Sequence, residues 1–450
     1  MCPIAKMAST HPTHLAVSGE YDLTYADCHQ LVSRWVAGLS RFPAGAVVAI
    51  RLLRPLDIMA VMMACFRLGL VAYPISDRLT FQEQFTQLSR SGASVLVTDG
   101  IIPPELSIPV MDPKLLSNQV SSHADHALDQ AALLLATSGT TATSRLAMLG
   151  YSNLYYSALG VVHRFSMGPE SRILLCLPLY HVAGVGVMMR TFLAGATMVI
   201  HSKTTTLTDQ LQDNISHVSL VPTQLHRVSP TVSLPMMQSI LVGGARLEPL
   251  LVSQRDSWPI HQSYGCTEMG STIAIVTKTG LEPLPHREVR VMESGDIQVR
   301  GDTLFWGYWV EGLLHLPLTV DGWFVTQDTL HHTHDGAAIF RHTDWINSGG
   351  EKLLLDDIES QFKTVCEACL VTGIPDEDYG QRPVMMVKNP QQPGFNLVMN
   401  GLNSIMRPMV VPWNHHIDGG DKQARIALRE WVIQLKKDAR NSNLDVGISS

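Results

Sequence analysis

An apolar segment followed by a hydroxyl-rich turn constrains the fold of this chain more than any other feature. Ala131–Ala136 is an uninterrupted apolar run, and the chain continues Thr137-Ser138-Gly139-Thr140-Thr141-Ala142-Thr143-Ser144-Arg145. Such a run is typical of a strand covered on both faces of a sheet. The hydroxyls and close backbone N–H groups that follow favour phosphate binding. A serine-rich surface loop is the alternative, and the Walker pattern of P-loop NTPases is absent.

The length and composition are those of a compact globular protein with more than one domain. The chain has 450 residues, of which 45% are hydrophobic and 16% are charged. Single cores usually stop growing below this length, so we expect two or more domains. The formal net charge is -7, and no basic block is interleaved with aromatic residues. Both observations argue against a nucleic acid as partner.

Neither a membrane span nor a disulfide framework is indicated. The N-terminal residues lack the apolar core of a signal peptide, and no run reaches the roughly 18 apolar residues of a span. We therefore expect a cytoplasmic protein. The scattered cysteines are consistent with reduced thiols. Cys366 and Cys369 have redox or half-zinc-site spacing, but no second pair accompanies them, and chance spacing on a helix is favoured.

Strands alternate with helices through most of the chain, which predicts an α/β fold with mainly parallel sheets. The predicted helices include Tyr25–Leu39, Pro55–Leu70 and Thr80–Ser91. After about residue 285 the pattern changes to hairpins, and residues 348–450 return to mixed helix and strand. We place a domain boundary near Arg341, which gives domains 1–341 and 342–450.

A second turn combines the residue types that a nucleotide site needs. Its sequence is Gln262-Ser263-Tyr264-Gly265-Cys266-Thr267-Glu268-Met269-Gly270-Ser271. An aromatic ring can stack on a purine, and glycine admits close backbone approach. A threonine can bond a phosphate, and a glutamate can hold hydrated Mg²⁺. This turn therefore predicts a site for a nucleotide and a magnesium ion.

Together, the two turns resemble those of the adenylate-forming superfamily of acyl-CoA synthetases, luciferases and peptide-synthetase adenylation domains. Within it, the chain resembles the o-succinylbenzoate-CoA ligases of menaquinone biosynthesis. The resemblance covers about residues 15–440 and rests also on Leu177–Gly184, Ser219–Leu225, Gly243–Ala245, Gly307–Trp309 and Gly419–Lys422. It implies a large N-terminal domain of mainly parallel sheets with helices and a distorted β-barrel region. It also implies a smaller, mobile α+β C-terminal domain.

The resemblance implies roles for specific nucleotide-site residues. The ATP phosphates would contact Thr137, Ser138, Gly139, Thr140, Thr141 and Arg145. The adenine would lie against Gly243, Gly244, Ala245, Tyr264 and Gly265. Thr267 would bind the α-phosphate side, Glu268 would bind Mg²⁺, and Asp328, assisted by Arg341, would take the ribose hydroxyls. Lys422 would neutralise charge between the attacking carboxylate and the α-phosphate.

The implied reaction has two halves. A carboxylate attacks ATP to give an acyl-adenylate and pyrophosphate, and CoA thiolate then displaces AMP to give a thioester. ATP, Mg²⁺ and CoA are therefore the expected cofactor and cosubstrates, and o-succinylbenzoate is the expected carboxylate. The small domain would swing about a hinge near Arg341–Asp344 between the halves. Association into a homo-oligomer is compatible with the sequence.

The acyl site would involve His181 and Arg190. His181 follows an apolar strand and a proline, a place that suits a catalytic or pocket-lining side chain, and a satisfied core histidine is the alternative. Arg190 lies in an apolar run and would meet a carboxylate of the dicarboxylic substrate, unless it snorkels to the surface. Weaker candidates for substrate binding are Ser219, Thr223 and Gln224.

The hydroxyl-rich turn Thr137–Arg145, the phosphate turn, departs from the superfamily pattern at three positions. The pattern usually continues with Gly, any residue, Pro and Lys, whereas this chain has Ala142, Ser144 and Arg145. Arginine is a planar fork and not a compact ammonium. Two other functions therefore stay open: a different acyl-CoA or aryl-CoA ligase, and a nucleotide- or acyl-binding protein that has lost catalysis.

Overall fold

The protein is described from a computed structural model. The structure describes residues 2–77, 79–100, 107–115, 128–137, 145–245, 247, 249–333, 336–341, 345–348, 351–362, 364–376, 378–389, 394–402, 406–414, 417 and 421–442.

The described residues form helices and strands in alternation. The helices are α1 (Pro3–Thr10), α2 (Tyr25–Leu39), α3 (Pro55–Leu68), α4 (Phe81–Ser91), α5 (Tyr151–Arg164), α6 (Val182–Ala194), α7 (Leu207–Gln212), α8 (Pro222–Arg227), α9 (Pro249–Ser253), α10 (Leu355–Phe362), α11 (Phe395–Gly401) and α12 (Asp421–Ser442). Short 3-10 turns cover Pro113–Leu115 and Thr267–Met269.

The strands of the first half are β1 (Leu15–Gly19), β2 (Leu23–Thr24), β3 (Val47–Arg51), β4 (Val71–Pro74), β5 (Ala93–Thr98), β6 (Val110–Met111), β7 (Ala131–Ala136), β8 (Leu146–Gly150), β9 (Arg172–Leu174), β10 (Thr197–Ile200), β11 (His217–Leu220) and β12 (Ser239–Val242). Those of the second half are β13 (Ile260–Cys266), β14 (Ser271–Thr277), β15 (Gly280–Pro283), β16 (Glu288–Val291), β17 (Asp296–Arg300), β18 (Gly307–Val310), β19 (Leu313–His315), β20 (Phe324–Thr333), β21 (Gly336–Arg341), β22 (Trp345–Ser348), β23 (Glu351–Leu354), β24 (Ala368–Asp376), β25 (Gly380–Lys388) and β26 (Met409–Pro412).

Local capping interactions set the helix ends. Thr24 and Asp27 form a capping box at the start of α2, which has the predicted bounds. Proline suits the first position of α3, and this helix ends at Gly69 in the left-handed conformation, before the predicted end. Thr80 caps α4 in the same way as Thr24 caps α2.

The chain divides into two compact units. Unit 1 comprises Met1–Thr326 and Leu330–Ile339, and unit 2 comprises Gln327–Thr329 and Phe340–Ser450. Strands β20 and β21 therefore contribute residues to both units. That the boundary near Arg341 acts as a hinge stays a prediction.

Two large sheets build unit 1. The strand order is β15-β14-β13-β12-β11-β9-β10-β1-β2 in one and β19-β18-β8-β7-β4-β3-β5-β6 in the other. In the first sheet, the neighbouring strands β13, β12, β11, β9, β10 and β1 pair in parallel, and β14, β15 and β2 are antiparallel additions at the edges. In the second sheet, the neighbouring strands β7, β4, β3, β5 and β6 pair in parallel, and β8, β18 and β19 are antiparallel additions at one edge. The predicted strand Ala131–Ala136 is confirmed as β7, and its central residues are buried because neighbours cover both faces. The mainly parallel α/β class is confirmed.

The remaining sheets are smaller. One has the order β16-β17-β20-β21. Since this order has two ends, the region predicted as a distorted β-barrel is an open sheet. Unit 2 has the order β23-β22-β25-β24, with β26 parallel to β25. The described helices include none that is long and apolar enough to cross a membrane.

The two cysteines with metal-site spacing lie apart from any such site. Cys366 is buried in a turn and Cys369 lies on β24, so the pair is not on a helix, contrary to the expectation from spacing. Both are reduced thiols: that of Cys366 donates to Phe362 O, and that of Cys369 to Glu359 O. Within the described parts of the chain, no group of His, Cys, Asp and Glu could by itself hold a metal ion.

Candidate active site

The phosphate turn begins and ends at neighbouring points of the eight-stranded sheet. The backbone N–H of Thr137 donates to the carbonyl of Arg145 over 2.8 Å. The predicted phosphate ligands Ser138, Gly139, Thr140 and Thr141, and the variant positions Ala142 and Ser144, lie outside the described residues. The Arg145 guanidinium carbon stands 4.1 Å from the centre of the Tyr308 ring. Arg145 is thus placed against an aromatic face at the foot of the turn.

The turn after β13 brings together the predicted adenine and magnesium residues. Tyr264 is 6% exposed at the carboxyl end of β13, and Thr267 and Glu268 follow half-buried in a 3-10 turn. Gly265 is required here because a Cβ would collide with the carbonyl oxygen of Ser271 on β14.

The Gly243–Ala245 segment lies beside this turn. It follows β12, which pairs parallel with β13, so the carboxyl ends of both strands are adjacent. A Cβ on Gly243 would clash with Ser263, which shows how closely the two backbones approach. Ligands of open parallel sheets bind at this edge of the strands. The segment Gly243–Ala245 and Tyr264 therefore lie at adjacent strand ends.

Glu268 is held by residues far away in sequence. Its carboxylate Oε1 accepts a hydrogen bond from the Tyr308 hydroxyl at 2.7 Å, and its carbonyl accepts one from Phe305 N at 2.8 Å. Tyr308 is 5% exposed. Burial first, and then the neighbouring carboxylate, raise the pKa of the Tyr308 hydroxyl, so this group stays protonated and donates. A carboxylate is a ligand type that suits Mg²⁺, which completes its shell with phosphate oxygens and water.

The predicted acyl residues lie around α6. His181 precedes this helix and is exposed, so the core-histidine alternative is wrong. Arg190 is 3% exposed, and the surface-snorkelling alternative is also wrong. Its Nη2 donates to Ser219 Oγ over 2.6 Å. Among the described residues, Arg190 Nε has no hydrogen-bond partner. Burial lowers the pKa of Arg190 to about 10, which leaves the side chain charged at neutral pH.

Besides Ser219, the weaker acyl candidates are Gln224 and Thr223, which are placed differently from one another. Gln224 Oε1 accepts from Val221 N at 3.0 Å, and its Nε2 donates to Cys176 O at 3.3 Å. The side chain thus caps α8 and ties it to the segment after β9, a structural role. Thr223 is exposed on α8. Of the three weaker candidates, Ser219 is the one with a described hydrogen bond to Arg190.

Three residues near these groups have no role in the sequence prediction. Tyr308 belongs to the Gly307–Trp309 segment, and its aromatic ring is the sequence feature that could have indicated a role for it. The Cys176 thiol donates a hydrogen bond to Ser219 O, and burial raises the pKa of this thiol to about 12. His217 lies between Ser239 Oγ, 2.8 Å from Nδ1, and Ser171 Oγ, 3.4 Å from Nε2. Burial, and secondarily Arg190, lower the pKa of His217 to about 4.

The remaining predicted residues belong to unit 2. Asp328 is 4% exposed, and its Oδ1 lies 3.5 Å from Arg341 Nε. This ion pair joins β20 to β21. Lys422 lies in the first turn of α12, and its side chain is outside the described part of the structure. Asp344, at the predicted hinge, also lies outside the described residues.

Comparisons with known proteins agree with this arrangement. The family model described as AMP-binding enzyme matches residues 4–309. A 2-succinylbenzoate–CoA ligase of Salmonella typhimurium is 33% identical over 320 residues, which cover 67% of this chain and 69% of that protein. A feruloyl-CoA synthase of Amycolatopsis is 28% identical over 422 residues, which cover 83% and 84%.

A solved structure shares the fold. The o-succinylbenzoate CoA synthetase of Bacillus subtilis, in complex with the acyl-adenylate intermediate OSB-AMP, has a TM-score of 0.82 at 22% identity. The match covers 95% of this chain and 98% of that one. By the family match and the Salmonella relative, the chain belongs to the AMP-binding enzyme family, within the adenylate-forming superfamily.

Proposed function

We propose that this chain is a 2-succinylbenzoate–CoA ligase, where 2-succinylbenzoate is another name for o-succinylbenzoate. The observation that carries the proposal is the buried Arg190, which has one hydrogen bond to Ser219 and a charged guanidinium with donor capacity left. An unpaired buried charge is costly, so an anionic partner is expected at this point. A dicarboxylate can bind Arg190 through one carboxylate while the other carboxylate reacts. The 33% identical relative is named for such an activity.

The first half-reaction joins the substrate to AMP. A carboxylate oxygen attacks the α-phosphorus of ATP, the bond to the β-phosphate oxygen breaks, and pyrophosphate leaves. Glu268 would hold Mg²⁺, which neutralises phosphate charge when bound. Thr137 and the hydroxyl turn, with Thr267, would hold the phosphates, and Lys422 would neutralise the charge that develops at the α-phosphate.

The second half-reaction forms the thioester. The CoA thiolate attacks the acyl carbon, and the bond to the phosphate oxygen breaks to release AMP. Neither half needs a nucleophile from the protein, so the side chains act by alignment and charge stabilisation. Tyr264 and Gly243–Ala245 would hold the adenine, and Asp328 with Arg341 would hold the ribose. We place this reaction in the cytoplasm, where ATP and CoA are available.

A second candidate is a CoA ligase for another aromatic acid. The relative named feruloyl-CoA synthase supports it, because that protein is 28% identical over a match that covers 83% of this chain. Arg190 favours the dicarboxylate, since a monocarboxylate that reacts leaves no anion for this guanidinium.

ATP–pyrophosphate exchange tests the proposal. We expect exchange with 2-succinylbenzoate, little with benzoate or ferulate, and AMP release with thioester formation once CoA is added. Faster exchange with ferulate would support the second candidate. No exchange with any carboxylate, together with retained ATP binding, would indicate a binding protein that has lost catalysis and would overturn the enzymatic proposal.

A further inference from the structure

The segment 305–308 contacts Glu268 at two points, one on its backbone and one on its side chain. Phe305 N and the Tyr308 hydroxyl donate to the Glu268 carbonyl and carboxylate, at 2.8 and 2.7 Å. Phe305 is 1% exposed and packs on Tyr308 with ring centres 4.9 Å apart. The carboxylate is therefore oriented by buried residues outside its own turn.

The other side of this contact leads to the phosphate turn. Strand β18 pairs antiparallel with β8 so that Tyr308 faces Ala147, which places the Tyr308 ring beside the chain that leaves the turn. The Arg145 guanidinium covers this ring at 4.1 Å, and the Arg145 carbonyl closes the base of the turn through Thr137 N. One contact path therefore runs from the phosphate turn through an aromatic ring to the carboxylate.

Each contact in this path has a direct physical effect. A hydroxyl that donates to Oε1 holds the carboxylate in one rotamer and leaves Oε2 available for a cation. A guanidinium over the ring polarises the phenol and makes its O–H a better donor. Groups that hydrogen-bond to a metal ligand commonly alter metal affinity by about 10–100-fold when they are removed.

We propose that Tyr308 is a positioning residue that orients Glu268 toward Mg²⁺, and that Arg145 couples the phosphate turn to this orientation through the Tyr308 ring. The inference rests on the proposed function, because it takes Glu268 as the magnesium ligand. In this proposal Arg145 acts through Tyr308. The alternative is that Arg145 contacts a phosphate directly, in place of the lysine that is usual at this position of the superfamily pattern.

Tyr308→Phe in the full chain is the principal test, because it removes only the hydroxyl. We expect the Mg²⁺ concentration for half-maximal ATP–pyrophosphate exchange to rise about tenfold, with an unchanged KM for the carboxylate. Calorimetric titration of Mg²⁺ into protein and a non-hydrolysable ATP analogue should show the same loss without any turnover. This binding measurement stands even if the wild-type chain exchanges no carboxylate, so it separates this inference from the proposed function.

Tyr73→Phe is the matched control. Tyr73 is a buried tyrosine on β4 of the same sheet, and its hydroxyl donates to Gln87 Oε1 at 3.0 Å. Its loss should leave the Mg²⁺ midpoint unchanged. In a Glu268→Gln background, Tyr308→Phe should have no further effect on Mg²⁺ binding. Equal Mg²⁺ midpoints for the wild type and Tyr308→Phe would overturn the proposal.

Arg145 variants test the coupling. Arg145→Lys keeps a cation near the ring and should leave the Mg²⁺ midpoint within about twofold, whereas Arg145→Met should raise it about threefold. If Arg145→Met weakens binding of the metal-free nucleotide and leaves the Mg²⁺ midpoint unchanged, Arg145 acts directly on phosphate and the coupling is refuted.

Discussion

Arg190 is a charged side chain buried within an apolar helix. It lies on α6 among Met188, Met189 and Phe192, all buried, and its described partner is Ser219 Oγ. Desolvation of a guanidinium without a full set of partners costs stability, which a substrate anion would recover. We therefore propose Arg190 as the group that binds a substrate carboxylate.

Arg190→Ala should raise the KM for 2-succinylbenzoate about tenfold or more, since a hydrogen bond to a charged group contributes about 1.5–3 kcal/mol. The KM for ATP should change little. Steady-state kinetics with each substrate varied in turn measure both values. Thr191→Val is the control, because Thr191 is buried on the same helix and its hydroxyl donates to Val187 O, a backbone group of that helix. An unchanged KM in Arg190→Ala would remove Arg190 from the acyl pocket.

His217 makes folding stability depend on pH. Its pKa falls from an ordinary value of 6.5 to about 4 in the folded protein, chiefly because it is buried. The unfolded chain takes up a proton as pH falls through 6.5, whereas folded His217 stays neutral until about pH 4. Stability should therefore fall by about 3 kcal/mol across this window and be unaffected by His217 above it.

Denaturant unfolding of wild type and His217→Gln between about pH 7.5 and 4.5 measures this effect. We expect the variant to lose less stability over that range than the wild type. His226→Gln, an exposed histidine on α8, is the control and should keep the wild-type slope. Parallel pH profiles for wild type and His217→Gln would contradict the assignment.

At the scale of elements, an ion cluster holds α12 against α10. Arg425 is buried, and its Nη2 lies 2.5 Å from Asp356 Oδ1 and 2.9 Å from Glu359 Oε2. Glu359 also accepts from Val371 N, and Thr372 donates to Arg425 O. Because Lys422 lies one helical turn before Arg425, this cluster fixes the segment that carries the proposed adenylation lysine.

Arg425→Gln should weaken the docking of α12 by about 3 kcal/mol, because it leaves two carboxylates without their cation. Hydrogen exchange of the α12 amides measures the docking. Adenylate formation should slow more than thioester formation from supplied acyl-adenylate, since Lys422 is proposed to act only in the first half. Lys388→Gln, which breaks an exposed ion pair with Glu367, should have less than about 1 kcal/mol of effect. Equal slowing of both half-reactions would contradict the role of Lys422.

At the scale of the whole molecule, each unit has its own core. In unit 2, alternate residues of β25 face opposite sides: Met385 packs with Ile358 and Phe362 of α10, whereas Met386 packs with Leu428 of α12. The sheet is thus covered by helices on both faces. In unit 1 the largest cluster contains strand residues of both large sheets, and two further clusters each pack on one of these sheets.

Separate cores predict separate unfolding transitions. Leu428→Ala removes a fully buried side chain and should destabilise unit 2 by about 2–5 kcal/mol. Differential scanning calorimetry should show one transition moving to lower temperature while the transition of unit 1 stays in place. Arg429→Ala, an exposed position on the same helix, should move neither transition. A single transition that shifts as a whole would show that the two cores unfold cooperatively.

The sequence by itself determined the α/β class, the family and most local structure. Apolar runs predicted β7, and Thr24 and Thr80 mark helix starts because their side chains bond to backbone N–H groups three residues on. The turn from Tyr264 to Glu268 was likewise recognisable from residue types in close order. Patterns of this kind are local, so a single sequence carries them.

Only the tertiary structure decided which distant groups meet. Tyr308 bonds to Glu268 across 40 residues because β18 pairs with β8, and strand pairing between distant segments leaves no periodic signal in the chain. The burial of Arg190 and the exposure of His181 were also decided there, since both residues adjoin the same apolar run and only packing tells which side is covered. The physical reason is the same in each case: burial and long-range pairing depend on what packs against a residue, and its neighbours in sequence do not specify that.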